Sequence, residues 1–137
     1  MYIVLPIKTQ KMKAIKITYW VTTVLVAIMM VFSAYAYLTQ DAMVQDFHHL
    51  GYPDYFRVEL AIGKLIGAIL LIAPVPARIK EWVYAGFIIT FVSAFIAHTA
   101  SGDPVNYRVM PLIFLAFLIV SYFSYHKWRS TPVLNSN

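Results

Sequence analysis

Two ionisable residues interrupt an apolar stretch that would otherwise read as featureless helix: Glu59 and Lys64, with Gly63 and Gly67 beside them. At about 100° per residue, with Glu59 at zero, Gly63 falls at about 40°, Gly67 at about 80° and Lys64 at about 140°. The glycine stripe is therefore expected between the two charges, with both charges facing neighbouring helices and both glycines serving helix packing. An ammonium near the middle of a bilayer costs at least about 2.5–3.5 kcal/mol, so Lys64 needs a carboxylate, an aromatic face, carbonyls, water or a ligand. Three kinds of chemistry follow: a register-setting ion pair, a headgroup site or a proton relay. His98 closes a later apolar run at about the depth of Glu59, which opens an imidazole–carboxylate hydrogen bond between the two. Tyr35 and Tyr37 end the first run on the same side, Asp103 follows His98, and Arg108 precedes the last run. Glu59, Lys64, His98, Tyr35, Tyr37, Asp103 and Arg108 thus form the expected ligand-binding set.

Other chemistries lack their residues. With no cysteine, a thiolate zinc site, a Cys-ligated iron–sulfur cluster and a thiol relay are excluded. Bis-histidine haem needs two imidazoles facing at matched depth, and His48-His49, which read as loop surface, are poor companions for His98, so haem is not expected and no metal site is assigned. Ser33, Ser93 and Ser121 lie in apolar contexts without an evident base and read as packing residues. No Walker loop or dinucleotide fingerprint is present.

The elements that carry these residues read as membrane spans. The chain has 137 residues, room for one domain covering 1–137, and is 61% hydrophobic and 12% charged. The run 17–38 is charge-free and long enough as a helix to cross about 30 Å of hydrocarbon. It is too long for the core of a secretory signal, despite the preceding lysines and the Ala34-Tyr35-Ala36 site. Runs 55–73, 82–98 and 109–125 follow. Pro74 and Pro76 break the second from the third, Ser101-Gly102-Asp103-Pro104 the third from the fourth, and Pro111 fits the first turn of the last helix. Between the first two runs, Met43, Phe47 and Leu50 suggest a short helix from Asp41, ended by Gly51. Residues 1–16 and 126–137 are expected as tails. The fold class is an all-α membrane four-helix bundle.

Charge sets its orientation. Lys8, Lys11, Lys13, Lys16, Arg78, Lys80, Lys127 and Arg129 fall on one face, Arg57 and Arg108 on the other, which places both termini in the cytoplasm. Trp20, Trp82 and Trp128 fall at the cytoplasmic interface. The net charge of +5 is thus an orientation signal and not a nucleic-acid surface.

The ordered series Leu50-Gly51-Tyr52-Pro53, Arg57, Lys64-Leu65, Gly67, Pro74, Lys80-Glu81-Trp82, Tyr84-Ala85-Gly86, His98 and Ser101-Gly102-Asp103-Pro104 resembles the DoxX-like family of small bacterial membrane proteins, over about Tyr19 to Tyr125. The resemblance implies a four-helix protein of the bacterial cytoplasmic (inner) membrane, and the wider family includes proteins linked to membrane oxidoreductase complexes and quinone reduction. No catalytic assignment transfers. The expected function is an accessory subunit holding a lipophilic molecule, a quinone or lipid, in an outer-leaflet pocket lined by the set above. The expected partners are the lipid bilayer and a membrane protein or a second copy. The alternatives are a scaffold or assembly chaperone acting through helix and outer-loop surfaces and, ranked lower, a proton-coupled carrier.

Overall fold

In the computed structural model, which describes residues 4–130 with side chains from Pro6 onward, the first helix begins well before the apolar run. Helix α1 is Val4–Thr39, so the expected N-terminal tail is mostly helix. The reason is local: Lys, Gln, Met and Ala between Pro6 and Ile17 are good helix formers, and Pro6 lies in the first turn, where its missing N–H costs little. The lysines Lys8, Lys11, Lys13 and Lys16 stay exposed along this extension. Residues 1–3 and 131–137, the remainder of the expected tails, lie outside the described residues.

Four more helices follow: α2 (Asp41–His49), α3 (Asp54–Ile72), α4 (Ala77–Ala100) and α5 (Val105–Ser130). Among the described residues there is no strand. Helix α5 starts earlier than the sequence suggests and ends later, which puts Pro111 in its interior. There Pro111 deprives the Tyr107 carbonyl of its usual i+4 donor. The C-terminal extension is held by packing: Tyr125 is buried, and the ring of Trp128 lies 5.5 Å from that of Tyr19 on α1.

Helix α1 packs on α3 and α5, and α4 packs closely on α5 and more sparsely on α3. The buried core joins Tyr19, Val26 and Met30 of α1 to Leu71 of α3, Tyr84 and Phe87 of α4, and Leu118 and Tyr125 of α5. Gly67 lets α3 approach α4, because a Cβ there would fall 2.5 Å from Cζ of Phe87. At Gly63 a Cβ would meet nothing within 4 Å. Ile28, Phe32, Ile69, Ile89 and Phe123 are exposed on the outside of this assembly.

Helices α1, α4 and α5 are long and apolar enough to cross a membrane, over Pro6–Thr39, Ala77–Ala100 and Val105–Ser130. Helix α3 is outside that set because Asp54, Arg57, Glu59 and Lys64 are spread through its first eleven residues. At the α3–α4 hairpin, Pro74 and Pro76 lack N–H groups to offer the last carbonyls of α3. The Lys80 ammonium supplies donors instead, to the carbonyls of Leu70, at 2.9 Å, and Leu71.

Candidate functional site

Two helix ends build the far end of the molecule with the same local chemistry. Gly51 after α2 and Gly102 after α4 take φ of 86° and 71°, conformations open to glycine. Each lets the chain fold back in a Schellman pattern: Tyr52 N–H donates to the Phe47 carbonyl at 2.8 Å, and Asp103 N–H to the His98 carbonyl at 3.0 Å. The second turn brings the Asp103 side chain back to His98, whose Nδ1 lies 2.6 Å from Oδ2. Across the gap, His49 Nε2 on α2 lies 2.7 Å from Oδ1 of the same carboxylate. An ionised carboxylate only accepts, so both imidazoles donate. The hydrogen bonds from His98 and then from His49 hold the Asp103 carboxyl below the usual carboxylate range.

A second cluster pins α2 and α3 to α1. The last carbonyls of a helix lack intrahelical donors, and the Arg57 guanidinium donates to that of Tyr37 in the last turn of α1. Arg57 Nε lies 3.7 Å from Asp54 Oδ1, and His48 Nε2 lies 3.4 Å from the same oxygen.

Beneath these clusters is a cavity of about 350 Å³, bounded by all five helices and within the size range of small-ligand sites. Its walls are mainly aromatic and thioether, among them Met30, Phe47, Tyr52, Phe91 and Phe114. Tyr52 stacks on Phe56 with centroids 5.0 Å apart, and Tyr37 meets Phe47 edge-on at 4.9 Å. The Lys64 side chain, 5% exposed, lies in the wall. Its Nζ donates to Ser33 Oγ at 2.8 Å and lies 3.7 Å from the centroid of the Tyr37 ring. The hydroxyl and the ring face satisfy part of the ammonium's need, but neither carries a countercharge.

Of the expected set, the structure brings Lys64, Tyr37 and His98 to this cavity. Asp103 orients His98 from behind. Arg108 is half-buried outside the lining. Glu59 corrects the expectation that both charges face inward: it is exposed, in the groove between α3 and α4. The angle of about 140° between the two side chains is the cause, since seating Lys64 against α1 turns Glu59 out. The expected His98–Glu59 hydrogen bond is likewise replaced by His98–Asp103. Tyr35 is 62% exposed because two positions along a helix span about 200°, so it and Tyr37 cannot share a face.

Sequence reasoning missed three participants. Ser33 reads as packing from sequence, although it stands four positions from Tyr37 and therefore on its face. His49 reads as loop surface from sequence, yet it belongs to α2 and reaches Asp103. Arg57 enters the sequence reading only as an orientation charge on the outer face, and no sequence signal shows that its partner is a backbone carbonyl. Among the described residues, no group of three or more His, Asp or Glu side chains is arranged to hold a metal ion.

The opposite end carries a separate polar seam. Ser121 on α5 lies 2.6 Å from Thr23 Oγ1 and 2.8 Å from the Tyr84 hydroxyl, all buried. Beyond it, the Tyr122 hydroxyl donates to Glu81 at 3.1 Å and His126 Nε2 lies 2.5 Å from the other Glu81 oxygen.

The family model described as the DoxX-like family matches residues 21–121. No curated protein matches, and no solved structure matches.

Proposed function

The chain belongs to the DoxX-like family and is a multi-pass membrane protein, and from that premise we propose that it is a binding or accessory subunit holding a lipophilic molecule with a polar head, a quinone or a lipid, in the five-helix cavity. The observation that carries the reading is Lys64, buried in an aromatic wall with a hydroxyl and a ring face but, among the described residues, no carboxylate beside it. An intramembrane ammonium retained at such cost is a functional group by default. Lys64 presents charge or a hydrogen bond to the head, Tyr37 and Ser33 hold the ammonium in place, and His98, fixed by Asp103, offers a second polar contact nearer the α2 end. The redox linkage of the wider family makes a membrane redox complex the first setting to examine.

On this reading α3 crosses as a fourth span in a four-helix bundle, sheltered between α1 and α4. Both termini face the cytoplasm of a bacterial inner membrane, and the cavity lies in the outer leaflet. The lysine-rich start of α1 and the basic end of α5 support that orientation through the excess of Lys and Arg at one end.

The test is extraction of small molecules from purified wild-type and Lys64→Ala protein. The expected result is a lipophile retained near one per chain by the wild type and depleted in the variant. Equal occupancy removes the support for the cavity reading.

A second reading, a scaffold or assembly factor, is favoured by one observation: Gly63 and Gly86 border the groove between α3 and α4, and a Cβ at either position meets nothing within 4 Å. A backbone could approach closely there. Crosslinking in cells through residues 41–56 and from Gly63 tests it. One recurring membrane protein supports it, and a random set of neighbours opposes it.

A further inference from the structure

Lys80, Asp103 and Glu81 have their compensation within the chain, whereas the half-buried Arg108 leaves its Nε without a hydrogen-bond partner among the described residues. Lys80, 4% exposed, donates to the carbonyls of Leu70 and Leu71. Asp103 is bracketed by His98 and His49, and Glu81 by His126 and Tyr122. Lys64 differs. Its ammonium meets one neutral hydroxyl and one ring face, and the acid nearest in sequence, Glu59, is turned out toward the surface groove. Three N–H donors with one neutral acceptor leave hydrogen-bonding capacity as well as charge.

A full countercharge repays the desolvation of a buried ammonium far better than neutral groups do, because Coulomb attraction is strongest in the low-dielectric interior. Apart from Ser33, Thr90, Ser93 and His98, the wall that would receive it is apolar or aromatic, which suits a hydrocarbon body attached to an anionic head. The volume of about 350 Å³ suits one chain or ring system and is too small for a two-chain phospholipid. The cavity also shares Phe56, Leu60, Lys64 and Thr90 with the groove that runs between α3 and α4. A chain longer than the cavity therefore has an apolar exit beside the open Cβ positions of Gly63 and Gly86.

Resting on the cavity reading above, we infer that the occupant is a single-chain amphiphile with an anionic head, a carboxylate or a phosphate, and that Lys64 supplies its countercharge. The inference narrows a lipophile of unspecified head to an acidic one.

The experiment uses the full-length chain in nanodiscs of neutral phosphatidylcholine, labelled with a palmitate bearing a diazirine. Unlabelled palmitate, hexadecanol, hexadecylamine and 1-palmitoyl lysophosphatidate then compete. Palmitate is expected to compete at least about 10-fold better than hexadecanol, about 1.4 kcal/mol, with label mapped to the cavity wall and no competition from hexadecylamine. Lysophosphatidate matching palmitate supports an anion site at large, and palmitate alone assigns a carboxylate site. In Lys64→Met the palmitate advantage disappears while hexadecanol competition persists, and Lys64→Arg keeps most of the advantage. The wild-type comparison needs no variant, so a misfolded Lys64→Met leaves the test intact. Hexadecanol or the amine competing as well as palmitate overturns the acidic head while leaving a lipophile cavity. Failure of any chain to label the cavity wall overturns the cavity reading itself. Glu59→Gln is expected to retain the palmitate advantage, and its loss there overturns the assignment to Lys64.

Discussion

His49 and Asp103 are joined across the α2 end of the molecule, Nε2 to Oδ1 at 2.7 Å, although 54 positions separate them in the chain. The contact ties the short helix α2 to the α4–α5 turn, and His98 completes it from inside at 2.6 Å. Phe47 and Leu50, carried on and just after α2, belong to the cavity lining, so this link holds part of the cavity wall in place.

Asp103→Asn removes the charge from both hydrogen bonds and is expected to lower amide exchange protection across Asp41–His49 several-fold at neutral pH. Because the folded carboxyl sits below its ordinary value of about 3.9, its contribution is complete above that value and is lost only as pH falls through the lower folded value. Wild-type protection of α2 should therefore persist to about pH 4 and decline below it, with no such step in the variant. Hydrogen exchange at several pH values checks both, and identical profiles for the two proteins refute the link.

Gly67→Ala is expected to destabilise by about 1–3 kcal/mol through overpacking against the buried Phe87 ring, which stands 2.5 Å from the added Cβ. Gly63→Ala adds a methyl where nothing lies within 4 Å and should be neutral or stabilising by up to about 1 kcal/mol. Thermal melts in detergent distinguish them. Phe87→Leu in the Gly67→Ala background should recover part of the loss, and strict additivity would contradict the contact.

Ser121→Ala leaves both Thr23 and Tyr84 without their shared partner, at an expected cost of about 1–3 kcal/mol. Replacing two members together, Thr23→Val with Ser121→Ala, should cost less than the sum of the single changes, because the hydrogen bond between them is lost only once. A double-mutant cycle on melting reads this directly.

Lys80→Met removes the ammonium from the Leu70 and Leu71 carbonyls at the hairpin, where Pro74 and Pro76 offer no replacement donors. The expected loss is about 1–3 kcal/mol. Arg78→Gln, two positions earlier and exposed, should change stability by less than about 0.5 kcal/mol. Equal effects in a paired melt would refute the capping role of Lys80.

Most of the helical plan was legible in the sequence because lipid and backbone chemistry act locally. A charge-free apolar run must bond its own backbone as helix, proline must interrupt a donor ladder, and a glycine such as Gly51 or Gly102 permits the left-handed turn that ends one. The helix limits were less legible. No residue type marks where α1 leaves the bilayer and enters water, so its lysine-rich start continued the helix, and Pro111 was absorbed within α5 once packing on α1 and α4 outweighed its missing donor. The site was legible as residue types and not as partners. Lys64, Tyr37 and His98 stood out because polar groups are costly among apolar neighbours. Which of Glu59 and Lys64 faces inward depended on how α3 rotates against α1 and α4, a choice made by Gly67 meeting Phe87 and by Lys64 meeting Ser33 and Tyr37. Helical periodicity sets the angle between two side chains, and only contact with other helices sets the direction in which that angle points.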